Sequence, residues 1–80
     1  MMDIHFTEKQ GQYLAFIHAY TRLNQRYPAE ADIQRYFEVS PPTVHQMILK
    51  LEKLGLIARQ PRTARSIRVL VPADKIPKLV

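Results

Sequence analysis

Thr43, Gln46, Lys50 and Lys53 occupy one stretch of the chain, and Arg59, Arg62, Arg65 and Arg68 follow in the next. Threonine and glutamine side chains can hydrogen-bond the edges of bases, while lysine and arginine pair with phosphates. Between Val39 and Val71 six basic residues face a single acid, Glu52, a surplus of five that equals the net charge of the whole chain. The remaining residues balance. Excess positive charge confined to one contiguous region marks a site for a polyanion.

Such side chains act together only if regular elements hold them on one surface. Thr7 and Gln10 are spaced as a capping box, so a first helix is expected from there to Arg26. Its stripe is Tyr13, Leu14, Ile17 and Thr21, with Phe16, Tyr20, Leu23 and Tyr27 on the flank. Pro28 is expected to end it, because a residue before proline avoids helical geometry. A second helix is expected from Ala29 or Glu30 to Glu38, with Ile33, Tyr36 and Phe37 inward. Glu30 and Asp32 in its first turn suit the positive end of the helix dipole.

Ser40 is expected to cap a third helix whose rigid first turn begins at Pro41, where a missing N–H costs nothing. It should run to Leu54 and close at Gly55, burying Val44, Met47, Ile48, Leu51 and Leu54. Thr43, Gln46, Lys50 and Lys53 then face outward. After Gly55 the period shortens: Leu56-Ile57 and the alternation of Ile67, Val69 and Val71 imply two strands around a basic turn. The expected fold is mainly α with a small β hairpin, a winged helix-turn-helix of three helices and a two-stranded wing. This domain should occupy residues 1–71, leaving 72–80 as an irregular tail.

The segments "TEKQGQYLAFI", "PAEADIQRYFEVSPPTVHQMILKLEKLGLI" and "TARSIRVL", in that order, resemble the N-terminal DNA-binding domain of the SOS-response repressor LexA. The resemblance implies a double-stranded DNA binder, a bacterial repressor-like regulator whose third helix reads the major groove and whose wing lies on the backbone. By position, Ser40, Pro42, Thr43, His45 and Gln46 match the groove-facing residues of that family, and Arg62, Thr63 and Arg65 match its wing. The family commonly has glycine where this chain has Glu38, so a differently shaped turn is expected. The groove-facing side chains differ too, so the SOS operator is not the expected target. The family's second domain, with its serine–lysine self-cleavage site and main dimer contacts, would lie beyond Val80. A product ending there would lack cleavage-driven derepression.

Other chemistries fit less well. His5, His18 and His45 lie far apart, so no metal or other cofactor is expected, and His45 is read as a contact to phosphate or bases. No Ser/His/Asp set, glycine-rich phosphate loop or carboxylate pair points to an enzyme or a small-molecule substrate. No run approaches the ~18–20 apolar residues of a membrane span, so a cytoplasmic, nucleoid-associated protein is expected. The aromatic flank of the first helix suggests a homodimer, or else a winged-helix adaptor that binds protein and no nucleic acid.

Overall fold

Local signals start each helix where side chains can satisfy the free N–H groups. In the computed structural model, which describes residues 4–80, α1 spans Glu8–Asn24. Residues 1–3 of the expected domain lie outside the described residues. Thr7 Oγ1 accepts from the Gln10 N–H at 3.1 Å, and Gln10 Oε1 accepts from the Thr7 N–H at 2.9 Å. The helix stops two residues before the expected Arg26. Gln25 turns left-handed (φ 57°) and its N–H bonds Thr21 O, so the reversal is complete before Pro28, which is buried.

Helix α2 spans Glu30–Phe37, and Asp32 Oδ2 accepts from the Ala29 N–H at 2.9 Å. Glu38 then takes φ 55° and ψ 48°. A glutamate thus sits in the left-handed region that glycine serves without strain. The left-handed form costs a non-glycine residue ~1–2 kcal/mol, partly offset by the greater freedom glycine has when unfolded. Glu38→Gly should therefore raise Tm by about 2–5 °C in a thermal melt. An unchanged or lower Tm would show that this turn carries no such strain.

Helix α3 spans Pro41–Lys53, with Ser40 as N-cap and prolines in its first two positions. Leu54 is the C-cap, not part of a buried face. Gly55 (φ 77°) lets the Leu56 N–H reach Leu51 O and the Gly55 N–H reach Glu52 O, both at 3.0 Å. This double bond pattern is the Schellman closure, and it drives Leu56 into the core while leaving Leu54 45% exposed.

Strands β1 (Ile57–Ala58) and β2 (Arg68–Val69) pair antiparallel, Ile57 opposite Val69 and Ala58 opposite Arg68. They are shorter than the alternation suggests, because the basic segment between them folds on itself. Mainly helical, with three helices and a two-stranded hairpin, the chain has the winged helix-turn-helix architecture.

The core joins Tyr13, Leu14 and Ile17 of α1 to Ile33, to Val44, Ile48 and Leu51 of α3, and to Leu56, Ile57, Ile67 and Val71 around the hairpin. Tyr13 stacks on Phe37 with centroids 4.2 Å apart. Its hydroxyl is buried without a partner among the described residues, and burial pushes its pKa up. Tyr36, expected inward, is 44% exposed: its ring lies 4.6 Å from Phe16 and its hydroxyl donates to Val80 O at 3.3 Å. The aromatic flank of α1 is thus largely used within the chain. Tyr13 and Phe16 are buried, whereas Leu23 stands 83% exposed with Tyr27 beside the wing.

The tail is not loose in this fold. A single 3-10 turn, Ala73–Lys75, leads Ile76 and Leu79 onto the core. The Gln12 side chain then grips the backbone, donating to Lys78 O and accepting from Val80 N–H, both at 2.8 Å. Pro77 crosses Gly11 so closely that a Cβ there would meet its Cγ at 3.0 Å.

Candidate nucleic-acid interface

The third helix supplies the first half of the site. Pro42, Thr43, His45, Gln46, Lys50 and Lys53 are all exposed, opposite the buried Val44, Ile48 and Leu51. Ser40 Oγ lies 2.8 Å from Thr43 Oγ1 and accepts from the Thr43 N–H at 3.4 Å, so the first turn is tied to its own cap. His45 Nδ1 sits 3.2 Å from both carboxylate oxygens of Glu30, which brings the start of α2 against the start of α3.

The wing, residues 59–67, supplies the second half without a single glycine. Arg62 (φ 62°) and Arg65 (φ 54°) adopt the left-handed conformation needed for its two reversals. Ser66 holds the base of the loop. Its Oγ accepts from the Gln60 N–H at 2.9 Å and lies 3.2 Å from Gln60 O and 3.0 Å from Thr63 O. Arg59 donates to Glu52 Oε1 at 3.2 Å, fastening the wing to the last turns of α3.

Arg65 does not simply point to solvent. Its Nη1 donates to Asp32 Oδ2 at 3.0 Å, to Tyr20 Oη at 3.1 Å and toward Tyr27 O at 3.5 Å. Asp32 is therefore a hub, capping α2 with one hydrogen bond and anchoring the wing with another. Burial pushes its carboxyl pKa up, but the Ala29 amide and the Arg65 guanidinium outweigh that and hold it below the usual carboxylate value. Arg65 thus positions the wing, whereas Arg62 and Thr63 are exposed beyond it.

The two halves meet across the start of α2. Glu30 touches His45 and also lines an open groove with Arg62, Thr63 and Arg65. Glu30 thus links His45, on the outward face of α3, to the wing residues Arg62, Thr63 and Arg65. Among the described residues Lys50, Lys53, Arg62 and Arg68 form no ion pair, so their charge is available to a ligand. Sequence reasoning misses Asp32, Glu30 and Ser66 as parts of this site. A position-N3 acid after Ala29 is the one signal for Asp32; the other two depend on contacts 15 and 6 residues apart in the chain.

Comparison with known proteins decides the family. The sequence profile described as "Iron dependent repressor, N-terminal DNA binding domain" matches residues 5–64. The chain belongs to this family. It is also 37% identical over 70 residues to a LexA repressor of Thermosipho melanesiensis, covering 88% of this chain and 35% of that protein. A LexA repressor of Thermosipho africanus is 38% identical over 64 residues, which is 80% of this chain and 32% of that one. The chain spans about a third of the length of these relatives. The LexA resemblance and the winged-helix fold agree with the family, whose description names a DNA-binding domain. Its name also raises iron. No cluster of three or more His, Cys, Asp or Glu occurs among the described residues, and the chain has no cysteine. Among the described residues His45 and Glu30 offer two donors with no third beside them, and this set does not fit an iron site.

Proposed function

We propose that this chain binds double-stranded DNA in a sequence-dependent manner, as the DNA-binding part of a repressor-like bacterial regulator of transcription acting in the cytoplasm. Helix α3 enters the major groove by its first turns, presenting Pro42, Thr43, His45 and Gln46, with Ser40 at the cap and Lys50 and Lys53 toward phosphates. The wing lies along the backbone through Arg62 and Thr63, while Arg65 sets its position. The observation that supports this reading is that Glu30, in the first turn of α2, meets His45 of α3 and lines a groove with Arg62, which has no ion pair among the described residues. A helix fits the roughly 12 Å width of the B-form major groove. The relatives are named repressors, and two copies reading two half-sites about 10 base pairs apart would suit such a role. The aromatic residues that suggest a protein-only adaptor are mostly spent inside the fold.

Selection of bound duplexes from a random pool, followed by titration of Gln46→Ala, tests the reading. Glutamine paired to an adenine edge discriminates by ~1–3 kcal/mol, so the variant should bind the selected duplex roughly 5- to 150-fold more weakly. Its affinity for a scrambled duplex should not change. Equal loss on both duplexes, or a pool from which nothing is retained, would sink the proposal.

A further inference from the structure

The outward face of α3 carries one side chain that hydrogen bonding and charge leave unexplained. Leu49 is 41% exposed although its helix neighbours Ile48 and Leu51 are fully buried. Helix geometry puts it in the middle of the site. Pro42, Gln46, Leu49 and Lys53 follow one another at steps of four, three and four, so they form a single row along the outer surface. Lys50 stands on one flank of that row and His45 on the other, and neither Lys50 nor Lys53 has an anionic partner among the described residues. The row thus presents an apolar side chain within a polar and cationic frame.

The major groove offers one apolar feature, the C5-methyl group of thymine. We propose that Leu49 is a specificity-determining residue that packs on a thymine methyl next to the base pair read by Gln46. The inference rests on the DNA-binding reading above and adds to it a named base and a named chemical group. Distance supports adjacency. Three residues of helix advance about 4.5 Å beyond Gln46, and one base-pair step is roughly 3.4 Å. The two side chains therefore reach base pairs one or two steps apart. With glutamine preferring adenine, the half-site core is expected to hold neighbouring A·T pairs.

The test removes the methyl group and nothing else. Each thymine of the duplex selected by the wild-type protein is replaced in turn by deoxyuridine, and affinity is measured for wild type, Leu49→Ala and Gln46→Ala. One position should cost the wild type about fourfold, which is ~0.8 kcal/mol for one methyl group removed from water. Leu49→Ala should show no penalty there, and Gln46→Ala should keep it. Alanine at an exposed helical site favours the helix, and circular dichroism checks that the variant folds. A flat uracil scan for wild type, or an undiminished penalty in Leu49→Ala, overturns the assignment while leaving DNA binding intact. A shift in oligomeric mass on Leu49→Ala with a flat scan assigns the leucine to a protein contact instead. Failure to select any duplex removes the interface itself, and the assignment with it.

Discussion

Raising the salt from 50 to 200 mM should weaken duplex binding by about 150-fold per copy of the chain. The expectation follows from which cations are free. Arg59 is held by Glu52 and Arg65 by Asp32, whereas Lys50, Lys53, Arg62 and Arg68 have no acidic partner among the described residues. Each phosphate neutralised releases counterions worth a slope of about −0.9 in log K against log salt, so four contacts give roughly −3.6. Fluorescence anisotropy titrations at five or six salt concentrations measure it directly. Arg62→Ala should make the slope shallower by about one and weaken all duplexes alike. A slope near −5.5 would mean that both Arg59 and Arg65 leave their carboxylates to meet DNA. A slope near zero would remove the phosphates from the interface.

Much of this surface is legible in the sequence because its causes are local. Ser40, the two prolines and Gly55 act within a turn of their own positions, and α3 forms where they place it. Its buried stripe of Val44, Ile48 and Leu51 is a matter of period alone. The period misleads where an apolar residue meets a helix end or an aromatic edge. Leu54 fits it, yet the Schellman closure turns the chain before its side chain can be covered. Tyr36 fits it too, but packs at the edge of the core against Phe16 and Phe37 and stays 44% exposed.

Leu49 is hard to read for the opposite reason. An apolar residue outside the buried stripe belongs to neither the core nor the polar face. The wing is the least readable part. Its shape depends on arginines in a conformation usually left to glycine, and on Arg65 reaching Asp32 across 33 residues and Tyr20 across 45. No spacing rule predicts such a contact, and it gives Arg65 a second part beside its expected place on the wing, as the fastening of the loop that carries Arg62.

That fastening should be costly to remove. Asp32→Ala is expected to destabilise the domain by ~2–3 kcal/mol, because the carboxylate loses the hydrogen bonds it accepts from Arg65 and from the Ala29 N–H, and the Ala29 N–H is left without its side-chain acceptor. The carboxylate side chain is 12% exposed but the Arg65 side chain 37%, so water screens the Arg65 share and most of the loss comes from the cap of α2. In a domain of this size each kcal/mol moves Tm by about 4–8 °C, so a fall of roughly 10–20 °C should appear in a thermal melt. Acid provides an independent check. Since the folded state holds the Asp32 carboxyl below its ordinary pKa, the stabilisation is fully present above the unfolded value of about 3.9 and is lost as pH falls through the folded value. The gap in stability between wild type and Asp32→Asn should therefore close below about pH 4 and stay constant above it.

A double cycle with Arg65→Gln separates the two hydrogen bonds: the Arg65 share should vanish in the double variant, and the share due to capping α2 should remain. Release of Arg65 also makes a prediction for DNA. Freed from Asp32, its guanidinium can meet a phosphate, so Asp32→Ala should steepen the salt slope by about one even as the fold weakens. A less stable domain that neutralises one more phosphate is the signature of an arginine exchanging one anion for another. If Tm fell with no change in slope, Arg65 would be a purely internal anchor; if neither moved, the wing would be held by Ser66 and Arg59 alone.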